Sequence, residues 1–239
     1  YLVHGLDTDP ANVERTRRHL RSCQLDQAAS MDLVAGSRLP YADNLVNLLI
    51  ADDMGDVPMS EVLRDLVPGG VAKIQQSGTW QRTIKPHPEG LDEWTHWLHD
   101  PSGNAVGKDR VVGPPRRFQW LAGPLWSRHH NTVPGVSAMV SSGGRVFTIV
   151  DEAPPGMAGT TPDKWFLVAR DAFNGIELWR KPMADWGWRA WSTIWNERFN
   201  QPNNVPKRLV AVDDRVYVTL GFNAEVTALD AATGEIVQR

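Results

Sequence analysis

Two folds in series are what this chain predicts: a partial doubly wound α/β unit over residues 1–78 and radially repeated antiparallel β sheets over 91–239, with a linker at 79–90. Three observations carry that expectation. The opening third alternates apolar strands with helical stripes, which is the pattern of a parallel sheet. Further on, one phrase occurs twice, as Asp171-Ala-Phe-Asn-Gly175-Ile-Glu-Leu-Trp179 and as Asp230-Ala-Ala-Thr-Gly234-Glu-Ile-Val237, each after an alternating apolar strand. All 11 tryptophans lie at or after Trp80, which puts a change of fold near residue 79.

In the first third, Leu2-Val3-His4-Gly5-Leu6-Asp7 reads as a short strand ending in an acid. Asp9-Pro10 then supplies an N-cap and a first-turn proline, so a helix is expected to start there. Val13, Thr16, Leu20 and Cys23 recur at helical spacing, while Glu14, Arg15, Arg17, Arg18 and Arg21 take the other faces. Leu45 to Ala51 is nearly continuously apolar and stops at Asp52-Asp53, as a parallel strand buried on both faces does. Met59, Val62, Leu63 and Leu66 give a second helical stripe, ended by Pro68-Gly69-Gly70 before a strand over Val71 to Ile74.

The wording of two stretches is then familiar. Gly36-Ser37-Arg38-Leu39-Pro40-Tyr41-Ala42-Asp43-Asn44, followed by a hydrophobic strand and by Glu61-Val62-Leu63-Arg64-Asp65-Leu66-Val67-Pro68-Gly69-Gly70, resembles the class I S-adenosylmethionine-dependent methyltransferases from their second strand to their fifth. The resemblance implies a Rossmann-like fold, S-adenosylmethionine as cofactor, and Asp7, Ser37 and Asp52 as its contacts. Asp7 stands where the family's acid holds ribose hydroxyls; read from its own neighbours, it is equally a loop acid capping the helix that follows. Ser37 falls where the family often carries an acid against the adenine amine. Asp52 and Asp53 either line a substrate pocket or are solvated. The family's first strand and glycine-rich loop would precede Tyr1, and after Ile74 there is room for one extended segment, about Trp80 to Ile84. No residue reads as a catalytic base, although methyl transfer needs mainly proximity and orientation.

In the remaining two-thirds the strands come in matched pairs. Arg145 to Val150 corresponds to Arg215 to Leu220, and Phe166 to Arg170 to Val226 to Leu229. In the repeated phrase the aspartate bonds backbone two residues on, and glycine supplies positive φ before the chain returns. The two aspartates are 230 − 171 = 59 residues apart, longer than the ~40–50 of a usual blade. An insertion over Trp179 to Lys207 explains the excess. The phrase resembles the pyrroloquinoline-quinone (PQQ)-type β-propeller repeat, shared by quinoprotein dehydrogenases and by non-enzymatic propellers, and marks a turn rather than a quinone contact. Two such units cannot bury a core alone, so the chain is expected to be part of something longer.

Outside these phrases, His96, His99 and Asp100, with His129-His130 as a second cluster, either bind a metal or bond backbone at a sheet edge; the aromatic, turn-ended setting favours the latter and no metal. The tryptophans of the insertion, Trp186, Trp188, Trp191 and Trp195, either fill space between sheets or form a stacking platform, with Trp188 and Trp191 beside Arg189 the best placed for the second role.

A formal charge of −3 and a pI near 6.2 give no basic field for nucleic acid. The single Cys23 forms no internal disulfide. No apolar run approaches the ~18 residues of a membrane span. The joined layout resembles planctomycete-type large proteins that couple a methyltransferase-like domain to a propeller, and that resemblance implies export. The function expected is a scaffold binding a protein or polymer on the propeller surface. An active methyltransferase is the alternative, and a quinone-dependent dehydrogenase, which needs a metal and contacts from many blades, a lesser one.

Overall fold

A computed structural model describes residues 2–114, 118–125, 135–154, 162–191 and 201–239, the side chain of Trp188 excepted. The chain divides into two compact units, Tyr1–Pro86 and His87–Arg239.

In the first unit, β1 (Val3–Asp7) runs parallel to β2 (Ala29–Leu33), and α1 (Pro10–Ser22) connects them. The helix starts where the sequence puts it: the Asp9 side chain accepts from Ala11 N, with Pro10 in the first turn. Val13 is its buried contact, and Cys23 is exposed at its end. A second sheet holds β3 (Val46–Ala51), β4 (Leu66–Gln76) and β5 (Thr79–Ile84), in which β3 pairs parallel to β4 and β4 antiparallel to β5. The helix α2 (Met59–Asp65) connects β3 to β4, and its Val62 packs with Leu66, Ala72 and Ile74 in a small core.

These two sheets are not hydrogen-bonded to one another. The expected Rossmann-like, doubly wound sheet is therefore corrected to two small separate sheets. The reason lies in β3: a doubly wound sheet covers both faces of each strand, whereas Leu48 and Ile50 are 53% and 61% exposed. The expected break after α2 also moves. The helix ends at Asp65 and β4 begins at once, so Pro68-Gly69-Gly70 falls in the irregular stretch of the β3–β4 pairing rather than before the strand.

The second unit holds two four-stranded antiparallel meanders. The first is β6 (Val136–Ser142), β7 (Arg145–Asp151), β8 (Trp165–Asp171) and β9 (Glu177–Pro182); the second is β10 (Leu209–Val212), β11 (Arg215–Thr219), β12 (Val226–Asp230) and β13 (Ile236–Gln238). Their registers match, with Arg145 opposite Asp171 and Arg215 opposite Asp230, and Phe147 opposite Ala169 and Tyr217 opposite Ala228. Pleating puts alternate residues on opposite faces, and the two sheets share one core built from different faces. The first sheet contributes Val140, Phe147, Ile149, Leu167 and Ala169; the second contributes Leu209, Ala211, Val216, Val218 and Leu229.

Both repeated turns are built as the sequence predicts. Asp171 Oδ1 accepts from Phe173 N and Asn174 N at 2.8 and 3.1 Å, and Asp230 Oδ1 from Ala232 N and Thr233 N at 3.0 and 2.9 Å. Gly175 and Gly234 have φ of 74° and 73°. On each turn lies an indole: Trp120 Nε1 donates to Ala172 O and Trp179 Nε1 to Ala231 O, both at 3.0 Å. A Cβ on Gly175 would fall 2.5 Å from the ring of Trp120, and one on Gly234 2.7 Å from that of Trp179.

The β-propeller expectation is likewise corrected, because among the described residues the strands form four separate sheets and no ring closes. On the face of the first sheet turned away from this core, Val150 and Val168 are buried and Trp120 and Pro124 lie beside them. Met139 on that face and Val226 in β12 are 61% and 62% exposed.

Candidate binding surface

The residues that carry the methyltransferase resemblance form a clamp. Glu61 Oε1 accepts from Leu39 N at 2.9 Å and from Arg64 at 2.7 Å. Arg64 in turn donates to Tyr41 O at 2.9 Å and to Asp43 Oδ1 at 2.7 Å. Glu61 is thereby held near 2, chiefly by Arg64. Asp65, beside this clamp, is fully buried, and burial pushes its carboxyl up to about 6 against the pull of Arg64. Tyr41 extends the clamp to β1 through His4 Nδ1 at 2.9 Å, and His4 Nε2 meets Asp32 at 3.0 Å.

The proposed cofactor contacts lie in three segments, at the end of β1 and after β2 and β3. Asp7 ends β1 and serves the helix after it: Oδ1 accepts from Asp9 N at 2.8 Å and Oδ2 from Asn12 at 3.1 Å. Its carboxyl is held low by the Asp9 amide. Ser37 is exposed in the loop after β2, and Asp52 is exposed beyond β3, in the other sheet. Asp53 accepts from Gly55 N in a turn. Among the described residues no side-chain hydrogen bond joins Asp7, Ser37 and Asp52.

A different locus emerges in the second unit, over 92–110. His99 is 2% exposed and has φ of 75°, a left-handed conformation that a non-glycine residue holds only when its surroundings impose it. Its Nε2 donates to both oxygens of Asp92 at 2.9 and 3.1 Å, while Nδ1 lies 3.3 Å from Asp100 Oδ2 without a hydrogen bond. Burial opposes charge on Asp92, but Lys108 N at 2.6 Å, the His99 ring and Glu93 N outweigh it and hold the carboxyl low. Asp100 is lowered further by the Ser102 hydroxyl and the Lys108 ammonium.

This buried centre backs a segment fixed to both sheets. Ser141 N in β6 donates to Trp94 O at 2.7 Å, Trp94 N to Ser141 Oγ at 3.0 Å, and Ala211 N in β10 to Thr95 O at 3.0 Å. Glu93 carries Gly143 N at 2.6 Å and Ser142 Oγ at 3.1 Å. On the segment, Trp94 and Trp97 are 39% and 38% exposed. The Trp94 ring meets His99 edge-on at 5.5 Å, and Lys207 Nζ stands 5.7 Å from the centre of the Trp97 ring.

His96 and His99 do not converge on a metal position. They pair through backbone, His96 N to His99 O at 3.1 Å, and His96 Nδ1 meets Thr95 Oγ1 at 2.8 Å. Among the described residues no group of three or more His, Cys, Asp or Glu is placed to hold a metal ion. His129, His130 and Trp195 lie outside the described residues. Of the insertion's tryptophans, Trp186 is 4% exposed and Trp191 packs against it at 6.2 Å and against Phe222 at 5.8 Å, so both fill core. Arg189 is exposed. Of the two tryptophans beside Arg189, Trp191 packs in the core and the side chain of Trp188 lies outside the described residues; Trp94 and Trp97, which the sequence reading did not single out, stand at i, i+3 in the run Asp92 to Asp100.

No protein-family model matches the chain, and no curated protein matches it. Among solved structures, one similar chain is the [4+2]-cyclase SpnF, at 20% identity and a TM-score of 0.29, the match covering 33% of this chain and 33% of that one. This chain therefore spans about a third of SpnF. No helix among the described residues is long and apolar enough to cross a membrane.

Proposed function

We propose that the second unit is a recognition scaffold that binds a polymer at the Trp94–Trp97 platform. The observation that carries this reading is the pairing of two partly exposed indoles with a backbone bonded to both β6 and β10 and braced from behind by buried His99. Aromatic faces on a rigid support offer large contact area with little ordering entropy. Lys207 over Trp97 adds a cation beside one face, and its attraction to the ring is on the order of 0.5–1 kcal/mol at an exposed site. A chain of sugar rings, flat on its C–H faces and hydroxylated at its edges, matches both features.

Affinity electrophoresis through gels carrying hydroxyethylcellulose, xylan or alginate, with a casein gel as the protein comparison, tests the proposal. Retardation in at least one polysaccharide gel is expected. Unchanged mobility in all of them contradicts it, and retardation by casein alone makes the ligand a protein.

A further inference from the structure

The charged groups around the two exposed indoles are not evenly engaged. Asp92, Glu93, Asp100 and Asp109 each accept two or more hydrogen bonds from the protein's own donors. Lys207 and Arg208 are placed differently. They share the short 3-10 turn Pro206–Arg208, which leads into β10, and each lies on an aromatic ring: Lys207 Nζ is 5.7 Å from the centre of Trp97, and the Arg208 guanidinium 4.4 Å from that of Phe222. Arg208 also donates to Phe222 O. Among the described residues neither cation is paired with an acid. Thr95 is bonded to Ala211 of β10 and Trp97 meets Lys207 ahead of that strand, so the segment runs back along β10 and the cations stand at its Trp97 end. The acids Asp213 and Asp214 follow β10 at the opposite end.

Resting on the platform reading above, we propose that its ligand is a polyuronate, a polysaccharide with a carboxylate on every ring, and that Lys207 pairs with the carboxylate of the ring stacked at Trp97. An indole face attracts an ammonium but leaves its three N–H donors without acceptor oxygens. Lys207 is exposed, so in the free protein those donors face water, and a carboxylate takes the place of that water. The C5 carboxylate of a uronate projects from the edge of the sugar. A ring lying flat on an indole therefore delivers it sideways, toward a cation held close to the same indole. Because every ring of the polymer carries one, the contact is kept whichever ring stacks. The protein's net charge of −3 opposes any polyanion, but that repulsion is screened beyond about 8 Å at physiological salt, whereas the local pair is not.

Titration calorimetry of the parent, Lys207→Gln and Lys207→Arg chains with oligogalacturonate and with its fully methyl-esterified form, which keeps the rings and removes the charge, tests this. The parent is expected to bind the charged oligomer roughly threefold to fivefold more tightly than the ester, the range of an exposed ion pair, and to lose that preference as salt is raised. Lys207→Gln should bind both forms alike, with its affinity for the ester unchanged, and Lys207→Arg should keep the preference. Equal or tighter binding of the ester by the parent overturns the uronate assignment and leaves the platform standing. So does a preference that survives in Lys207→Gln, and so does binding of neither form by a parent that another gel polysaccharide retards. A parent that binds neither form and is retarded by no polysaccharide overturns the platform reading as well.

Discussion

Asp65 is buried with Oδ1 2.5 Å from Arg64 Nη2, an ion pair in which Arg64 is shared with Glu61 and Asp43, and neither of its oxygens accepts a well-directed hydrogen bond. Its carboxyl titrates near 6, against 3.8 for the ordinary group. The unfolded chain therefore gives up this proton first: stability falls as pH rises from about 4, and the full loss is present above about 6. That loss is on the order of 2–3 kcal/mol. Asp65→Asn should remove that slope and leave the chain more stable at neutral pH, read as urea midpoints across the range. Equal slopes in parent and variant would show that burial does not control this group. The clamp also shows what was legible at this scale. The phrases around Asp43 and Glu61 could be recognised as belonging together, but their use in holding the 39–43 loop against α2 depends on side-chain directions that residue order does not specify. Asp7 was legible as one of two alternatives, and its bonds to Asp9 and Asn12 tie it to the start of α1.

At the scale of elements, the repeated turn gives a graded prediction. Replacing Trp179 with Phe keeps ring area but leaves Ala231 O without its indole donor, a loss of about 1 kcal/mol. Gly234→Ala should cost more, over ~2 kcal/mol, because it sets a Cβ against the Trp179 ring and forces a side chain into left-handed backbone. Denaturant midpoints of the two variants order the effects, and a Gly234→Ala chain as stable as the parent would sink the docking interpretation. The turn itself was readable because aspartate and glycine act on backbone within a few residues. The indole on it lies 52 residues away in sequence, and only the equal interval 179 − 120 = 59 hinted that Trp120 and Trp179 do the same work. Strand β3 misled for a related reason. Its apolar run reads as buried on both faces, yet whether anything covers Leu48 and Ile50 is decided by the rest of the chain.

Over the whole molecule, local pattern gave strands, helices and turns at nearly the right places, while the way sheets join was not in it. The expected doubly wound sheet resolves into a parallel pair and a mixed three-stranded sheet, and the expected ring into two sheets stacked head to tail. What unites the second unit is its core and the 92–99 segment bonded to equivalent positions, Ser141 and Ala211, in both sheets. Because that segment is held by backbone bonds and by His99, its indoles can be removed without disturbing the core. Trp94→Ala and Trp97→Ala should each shift the melting temperature little while weakening ligand binding roughly tenfold or more, as loss of an aromatic anchor does. The most direct measurement is tryptophan fluorescence of the parent and of the Trp94→Ala/Trp97→Ala chain titrated with whichever gel polysaccharide retards the parent. The platform reading predicts a saturable change in the parent that disappears in the double variant at unchanged melting temperature; the same isotherm in both chains would place the ligand elsewhere.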